Sequence, residues 1–155
     1  MMIQLASPRE LAGWMALVDK VKDAFPGLET REALEAHRET VLEFMRRNLA
    51  VCALEEGRVA GALLFSAEEN VLCFLAVDPD CRRQHIAAEM FAFIPPLMDP
   101  EKDIRVTTYR EGDPAGIAAR AFYQSLGFLT GALTEEFGSP VQEFVLCRCS
   151  TGAEG

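Results

Sequence analysis

The sequence predicts one α/β domain: a mixed, mostly antiparallel sheet of about six or seven strands, one pair of them parallel, flanked by about four helices. Three observations carry this expectation. Short apolar runs at residues 50–54, 59–66 and 71–77 are separated only by polar links containing Glu55-Glu56-Gly57 and Ala67-Glu68-Glu69-Asn70. Connections that short imply an antiparallel meander. The run at 71–77, a helix from about Arg83 and a run at 104–109 form a strand–helix–strand unit whose crossover makes its two strands parallel. Segments with apolar residues at three- and four-residue spacing precede the meander and follow the crossover, as helices lying on a sheet require.

In chain order, residues 3–6 read as an opening strand. Ser7-Pro8-Arg9-Glu10 then has the form of a capping box with proline at the first helical position. Leu11, Trp14, Met15, Val18, Val21 and Phe25 give the helix that follows one apolar stripe, which Pro26-Gly27 stops. Thr30 caps a second helix through about Asn48, with Leu34, Val41, Phe44 and Met45 inward and Glu32, Glu35, Glu39, Arg46 and Arg47 outward. Its charge order suits the helix dipole. His37 lies among those charged residues and reads as a surface histidine. After the meander, the helix from about Arg83 meets Pro95-Pro96 and ends or kinks near Phe93. Met90, Phe91, Phe93, Ile94, Leu97 and Met98 read as its sheet-facing core. Asp113 and Pro114 open a last helix through Leu126, and residues 128–133 and 141–149 complete the sheet.

With 155 residues, half of them hydrophobic, the chain is large enough to bury roughly two-thirds of its unfolded surface in one core. It therefore needs neither a metal nor a disulfide to fold. Residues 1–149 form the domain and 150–155 a loose tail. The five cysteines lie mostly in apolar segments and read as reduced thiols. Cys147 and Cys149 share a strand face, but no further cysteine or histidine completes a zinc spacing. No stretch reaches the roughly 20 apolar residues that span a bilayer, and the start lacks a basic, apolar secretion signal. A cytoplasmic protein is expected. Fifteen basic against twenty-four acidic residues, a net charge of −9, opposes binding to nucleic acid or anionic membrane and favours a cationic substrate.

The most informative stretch is residues 71–90. The continuous apolar run Val71-Leu72-Cys73-Phe74-Leu75-Ala76-Val77 suits a strand covered on both faces. Asp78-Pro79-Asp80 ends it. Cys81-Arg82-Arg83-Gln84-His85-Ile86-Ala87-Ala88 then sets two arginines before the opening of a helix, whose first N–H groups have no helical partner. Such an arrangement suits an anion. Val77-x-Pro79 and Arg82-x-x-His85-x-Ala87 resemble the acyl-CoA binding motif of the GNAT superfamily of N-acetyltransferases, Val-x-Pro followed by Arg/Gln-x-x-Gly-x-Gly/Ala. Downstream, Ala119-Arg120-Ala121-Phe122-Tyr123-Gln124-Ser125-Leu126-Gly127-Phe128 resembles the family's Ala-x-x-x-Tyr-x-x-x-Gly-Phe segment. Two ordered motifs are far more specific than one.

The resemblance implies the GNAT fold, with its parallel strands splayed apart, and acetyl-CoA as co-substrate without a metal. It implies that the backbone of Leu75, Ala76 and Val77 meets the pantetheine arm and the acetyl carbonyl. The loop of Arg82, Arg83, Gln84, His85, Ile86, Ala87 and Ala88 would receive the pyrophosphate. Arg83 reads equally well as a solvated arginine. His85 replaces the motif's glycine and, if its backbone stays helical, is tolerable as a structural residue or phosphate neighbour rather than a base. Gly116, Ala119 and Tyr123 share a helix face, so the small residues would leave a channel to the phenol; Gly116 stands where the family often has asparagine. Tyr123 is then the candidate acid for the departing thiolate, against the alternative of a tyrosine packed at a helix end.

No carboxylate lies within residues 71–77, where some relatives carry a general base. Glu69 is the nearest candidate and Glu68 a lesser one, although both fit as turn residues. A covalent route through Cys73 or Cys81 is less favoured than direct transfer. The acceptor is expected to be a small primary amine, bound by the first two helices and the Leu28-Glu29-Thr30 loop. A homodimer is one option for assembly. The rival reading is a catalytically weak or inactive acyl-CoA-binding sensor on the same fold, motivated by His85, Gly116 and the missing strand glutamate; transfer of a larger acyl group is a second.

Overall fold

A computed structural model of the chain describes residues 1–24, 28, 30–136 and 138–147. Expectations for Phe25, Pro26-Gly27, Glu29, Cys149 and the 150–155 tail, and for the side chains of Arg82, Arg83 and Gln84, lie outside the described residues.

The strand-like runs pair as their links demand. β1 (Met2–Leu5), β2 (Ala50–Glu55), β3 (Arg58–Ser66) and β4 (Val71–Val77) form an antiparallel meander. β5 (Ile104–Tyr109) joins β4 in parallel, and the hairpin of β6 (Leu129–Glu136) and β7 (Ser139–Leu146) completes a seven-stranded sheet in the order β1-β2-β3-β4-β5-β7-β6. α1 (Leu11–Val21) and α2 (Arg31–Arg46) cover one face; α3 (Ile86–Phe93) and α4 (Ile117–Ser125) cover the other. Each face has its own core. Trp14, Val18, Val41 and Met45 pack on Cys52, Ala62, Leu64 and Ala76. Ile86, Met90, Ile94 and Tyr123 pack on Leu63, Phe65, Ile104 and Phe144. No helix among the described residues is long and apolar enough to cross a membrane.

All four expected helices form, but short 3₁₀ turns precede three of them and move their starts downstream. Pro8–Glu10 is a 3₁₀ turn before α1, and the Glu10 carboxylate accepts from the Ser7 backbone N–H at 2.7 Å and from its hydroxyl at 2.9 Å. Thr30 caps α2 by accepting from the Ala33 N–H at 3.0 Å. Pro114–Gly116 is a 3₁₀ turn, so α4 begins at Ile117 rather than Pro114. α3 ends at Phe93, where the Pro95–Leu97 turn takes over. Its seating depends on Gly61 in β3, where a Cβ would lie 2.7 Å from Ile86 Cγ2 and 2.8 Å from Met90 Cε.

Further expectations are corrected. α3 starts at Ile86, because residues 79–84 form a 3₁₀ turn instead of a helical first turn. β4 is not covered on both faces: Cys73 is exposed and Phe74 and Leu75 are only half-buried. His37 is not a surface histidine. Its ring centroid lies 4.9 Å from that of Phe74, and its Nε2 is buried with no hydrogen-bond partner among the described residues.

Candidate active site

The site is a fork in the sheet. β4 and β5 pair at a single register position, Val71 opposite Arg105, and then part. Asn70 fixes the closed end. Fully buried, it donates from Nδ2 to the carbonyls of Asp99 (2.7 Å) and Lys102 (3.2 Å), accepts on Oδ1 from the Asp99 N–H (3.1 Å), and accepts on its backbone carbonyl from the Arg105 N–H (3.0 Å). Its φ of 54° is left-handed, a conformation that asparagine tolerates better than most residues. One side chain thus ties the chain returning from α3 to the start of both fork strands. Sequence reading gave Asn70 no role beyond a turn.

Past Val71, no strand among the described residues pairs with the edge of β4 that faces β5, so the sheet ladder does not use that edge and its backbone amides can meet a ligand. β4 also bulges. Phe65 pairs with Leu72 and Leu64 with Phe74, which leaves Cys73 over. Periodicity does not reveal such an extra residue in a wholly apolar run. Cys73 is exposed at the fork, yet partial burial, then the charges of Glu69 and Glu136, push its thiol up to about 11. It is therefore a poor nucleophile.

Leu75, Ala76 and Val77 lie on the open arm of β4, as expected. Beyond it, Asp78 is buried, donates its N–H to the Ala60 carbonyl at 2.8 Å and receives Lys20 Nζ on Oδ1 at 2.8 Å. Lys20 holds the Asp78 carboxyl below its usual range and locks α1 to the end of β4. Then comes the loop. His85 has φ 58° and ψ 30°, so it is left-handed and not helical as expected. The motif's glycine position thus keeps the backbone conformation that glycine supplies, at the steric expense of a Cβ. The Glu89 N–H makes the first turn's bond to the His85 carbonyl at 3.1 Å. The N–H groups of Ile86, Ala87 and Ala88 precede it at the positive end of α3.

On α4, Tyr123 is 5 % exposed among Phe122, Phe128 and Phe144, with ring centroids 5.4, 5.5 and 6.0 Å away, and burial raises its pKa. Ala119 is half-buried beside the same core. Gly116 does not open a channel. A Cβ there would stand 2.6 Å from Tyr109 Cβ, so its small size serves the close packing of α4 on β5. Arg120 braces the same contact, donating from Nη1 to the Tyr109 carbonyl (3.0 Å) and to Gln142 Oε1 (2.9 Å). Glu69 is exposed in the turn before β4, beyond the closed end.

These residues fit an acyl-CoA. The open β4 edge offers amide groups to an amide-rich arm, and the first turn of α3 offers N–H groups to a pyrophosphate. The chain matches the model of the acetyltransferase (GNAT) domain over residues 46–129, more than half its length. No curated protein sequence matches it. Its fold resembles that of an N-acetyltransferase from Staphylococcus aureus Mu50 (TM-score 0.74, 15% identity, 94% of this chain and 100% of that one). A GNAT-family acetyltransferase from Bacillus cereus gives 0.73 at 16% identity over 95% and 96% of the two chains. PaiA N-acetyltransferase from Thermoplasma acidophilum, solved with coenzyme A, gives 0.68 at 17% identity over 92% and 96%. The match runs from the end of α2 through the fork and α4, and on that ground the chain belongs to the GNAT acetyltransferase family, whose fold supports acyl-CoA-dependent acetyl transfer.

Proposed function

We propose that the protein is an acetyl-CoA-dependent N-acetyltransferase that moves the acetyl group directly to a primary amine of a small molecule. The observation that carries this reading is the fork, which leaves one edge of β4 without a strand partner and ends beside the first turn of α3. In this reading the backbone of Leu75, Ala76 and Val77 orients the acyl arm. The segment 82–88 receives the pyrophosphate, with Ala119 as α4's contribution to the ligand's surroundings; Gly116, packed against Tyr109, takes no part. The thioester supplies an activated carbonyl; the amine nitrogen bonds to that carbon, the carbon–sulfur bond breaks, and the nitrogen gives its proton to water.

Tyr123 is the proposed acid that returns a proton to sulfur. Its raised pKa keeps the phenol protonated, which a donor requires. The same burial that weakens it also strengthens a thiolate's hold on a proton, as at Cys52, pushed up to about 11. Donor and acceptor therefore rise together. Glu69 remains a proposed base only through intervening water, given its place in the turn.

A thermal melt with acetyl-CoA, using adenosine diphosphate as the control for a phosphate effect, tests the ligand site. Ligand at about 100 times its dissociation constant adds roughly 2.7 kcal/mol of stability. No specific shift at millimolar ligand would reject the reading. Y123F should lower turnover by about a hundredfold with acetyl-CoA affinity nearly intact; unchanged turnover would refute the acid role. The sensor reading is favoured by one observation, the left-handed His85, and acetyl transfer above background to any amine rejects it.

A further inference from the structure

The face of the fork away from α3 and α4 carries a carboxylate that the reading above does not use. In β5, Ile104 and Val106 are buried in the core beneath α3 and α4, so by strand alternation Arg105 and Thr107 project to the opposite face. Two glutamates reach them there. Glu143 of β7 accepts from Arg105 Nη1 at 3.0 Å and is neutralised by it. Glu136, the last residue of β6, accepts on Oε2 from Thr107 Oγ1 at 2.9 Å, and no cationic side chain among the described residues pairs with it. The two neighbours differ only in what holds them, a guanidinium in one case and a neutral hydroxyl in the other.

Position gives that difference meaning. Arg105 stands at the closed end of the fork, opposite Val71; Thr107 is two residues further, on the open arm. Cys73, two residues beyond Val71 on the other arm, feels the Glu136 charge. The Glu136 carboxylate thus lies over the opening between the arms, where an acceptor must approach a thioester held along β4. Thr107 fixes one oxygen and leaves the other available.

We infer that Glu136, oriented by Thr107, receives a positively charged group of the acceptor. A nitrogen that attacks a carbonyl must be neutral at that moment, so the charge held by Glu136 belongs to a second amino group. The acceptor is therefore of the diamine class, one nitrogen reacting at the fork and another paired with Glu136. This rests on the transferase reading and deepens it. Glu136 is a specificity residue and Thr107 a positioning residue. The signal was hidden in the sequence because Glu136 and Thr107 lie 29 positions apart and meet only across the hairpin.

Calorimetric titration of 1,4-diaminobutane and of n-butylamine into the protein, with and without saturating coenzyme A, tests the inference without relying on turnover. The diamine should bind about tenfold or more tightly than the monoamine, and E136Q, which keeps shape and removes charge, should abolish that preference. T107V should weaken diamine binding by about threefold and raise KM more than it lowers kcat, with T107S restoring both. Equal binding of the two amines to the wild type, or an undiminished preference in E136Q, would overturn the inference. A retained preference in the wild type without acetyl transfer to either amine would instead defeat the transferase reading and leave the Glu136 site standing.

Discussion

The two ends of the fork use similar materials in opposite ways. At the closed end Asn70 is left-handed and fully buried, and its side chain makes three hydrogen bonds that compensate for both. At the open end His85 is also left-handed, but its side chain caps nothing. His37, packed on Phe74 of the open arm, buries an Nε2 without a partner among the described residues. The closed end is where stability is gathered; the open end is where strain and unmade hydrogen bonds collect. Such groups persist when the surrounding fold determines their placement, and they mark surfaces kept for a ligand.

Breaking the closed end should give the largest effect. N70A removes three side-chain hydrogen bonds and leaves the Asp99 and Lys102 backbone groups they served. It should cost about 2–4 kcal/mol in urea unfolding. N70G relieves the left-handed backbone but restores no bond, so it should recover only part of that loss. If N70G is as stable as the wild type, the bonds contribute nothing and the closed end is held by its backbone alone.

Relaxing the open end should act more weakly and with the opposite sign. H85G removes a Cβ from a left-handed position, and the relief offsets the added freedom of glycine in the unfolded chain. Stability should therefore stay level or rise by up to about 1 kcal/mol. Acetyl-CoA should bind severalfold more tightly, because the backbone can then approach a pyrophosphate without the side chain. A loss of stability together with weaker binding would show that the imidazole itself contacts ligand or core, and the contrast between the two ends would fail at this residue.

The sequence revealed those parts of the molecule that depend on near neighbours along the chain. The bounds of β4 and β5, the cap at Thr30 and the stop at Phe93 follow from periodicity, capping chemistry and proline. The two motif segments pointed to the family in the same way. What stayed hidden depends on the third dimension. Asn70 looks like any turn residue until the loop at Asp99 and Lys102 folds over it. The Cys73 bulge cannot be counted in a run where every residue is apolar. Gly116 suggested open space beside a ligand, whereas Tyr109 at the end of β5 fills that space once the intervening loop turns α4 back onto the strand. His37 was legible in part: Leu34, His37 and Val41 are spaced three and four apart, the inward stripe of α2, but the surrounding charged residues masked it.

The smallest expected effect is the sharpest test of the open end, because it depends on pH. Burial lowers the His37 pKa below its ordinary 6.5, so the folded state holds the ring neutral where the unfolded chain has begun to bind a proton. The unfolded state then binds more protons, and stability rises with pH across that window. Read the other way, the wild type should lose stability as pH falls through 6.5 towards the lower folded value, and below that value the loss should level off. H37F keeps an aromatic ring against Phe74 and removes the titration. The difference in urea midpoint between variant and wild type should therefore widen in favour of H37F between pH 7.5 and 5.5. A difference that stays constant would mean that His37 titrates alike in both states, and that its buried nitrogen finds a partner which this face of α2 does not otherwise display.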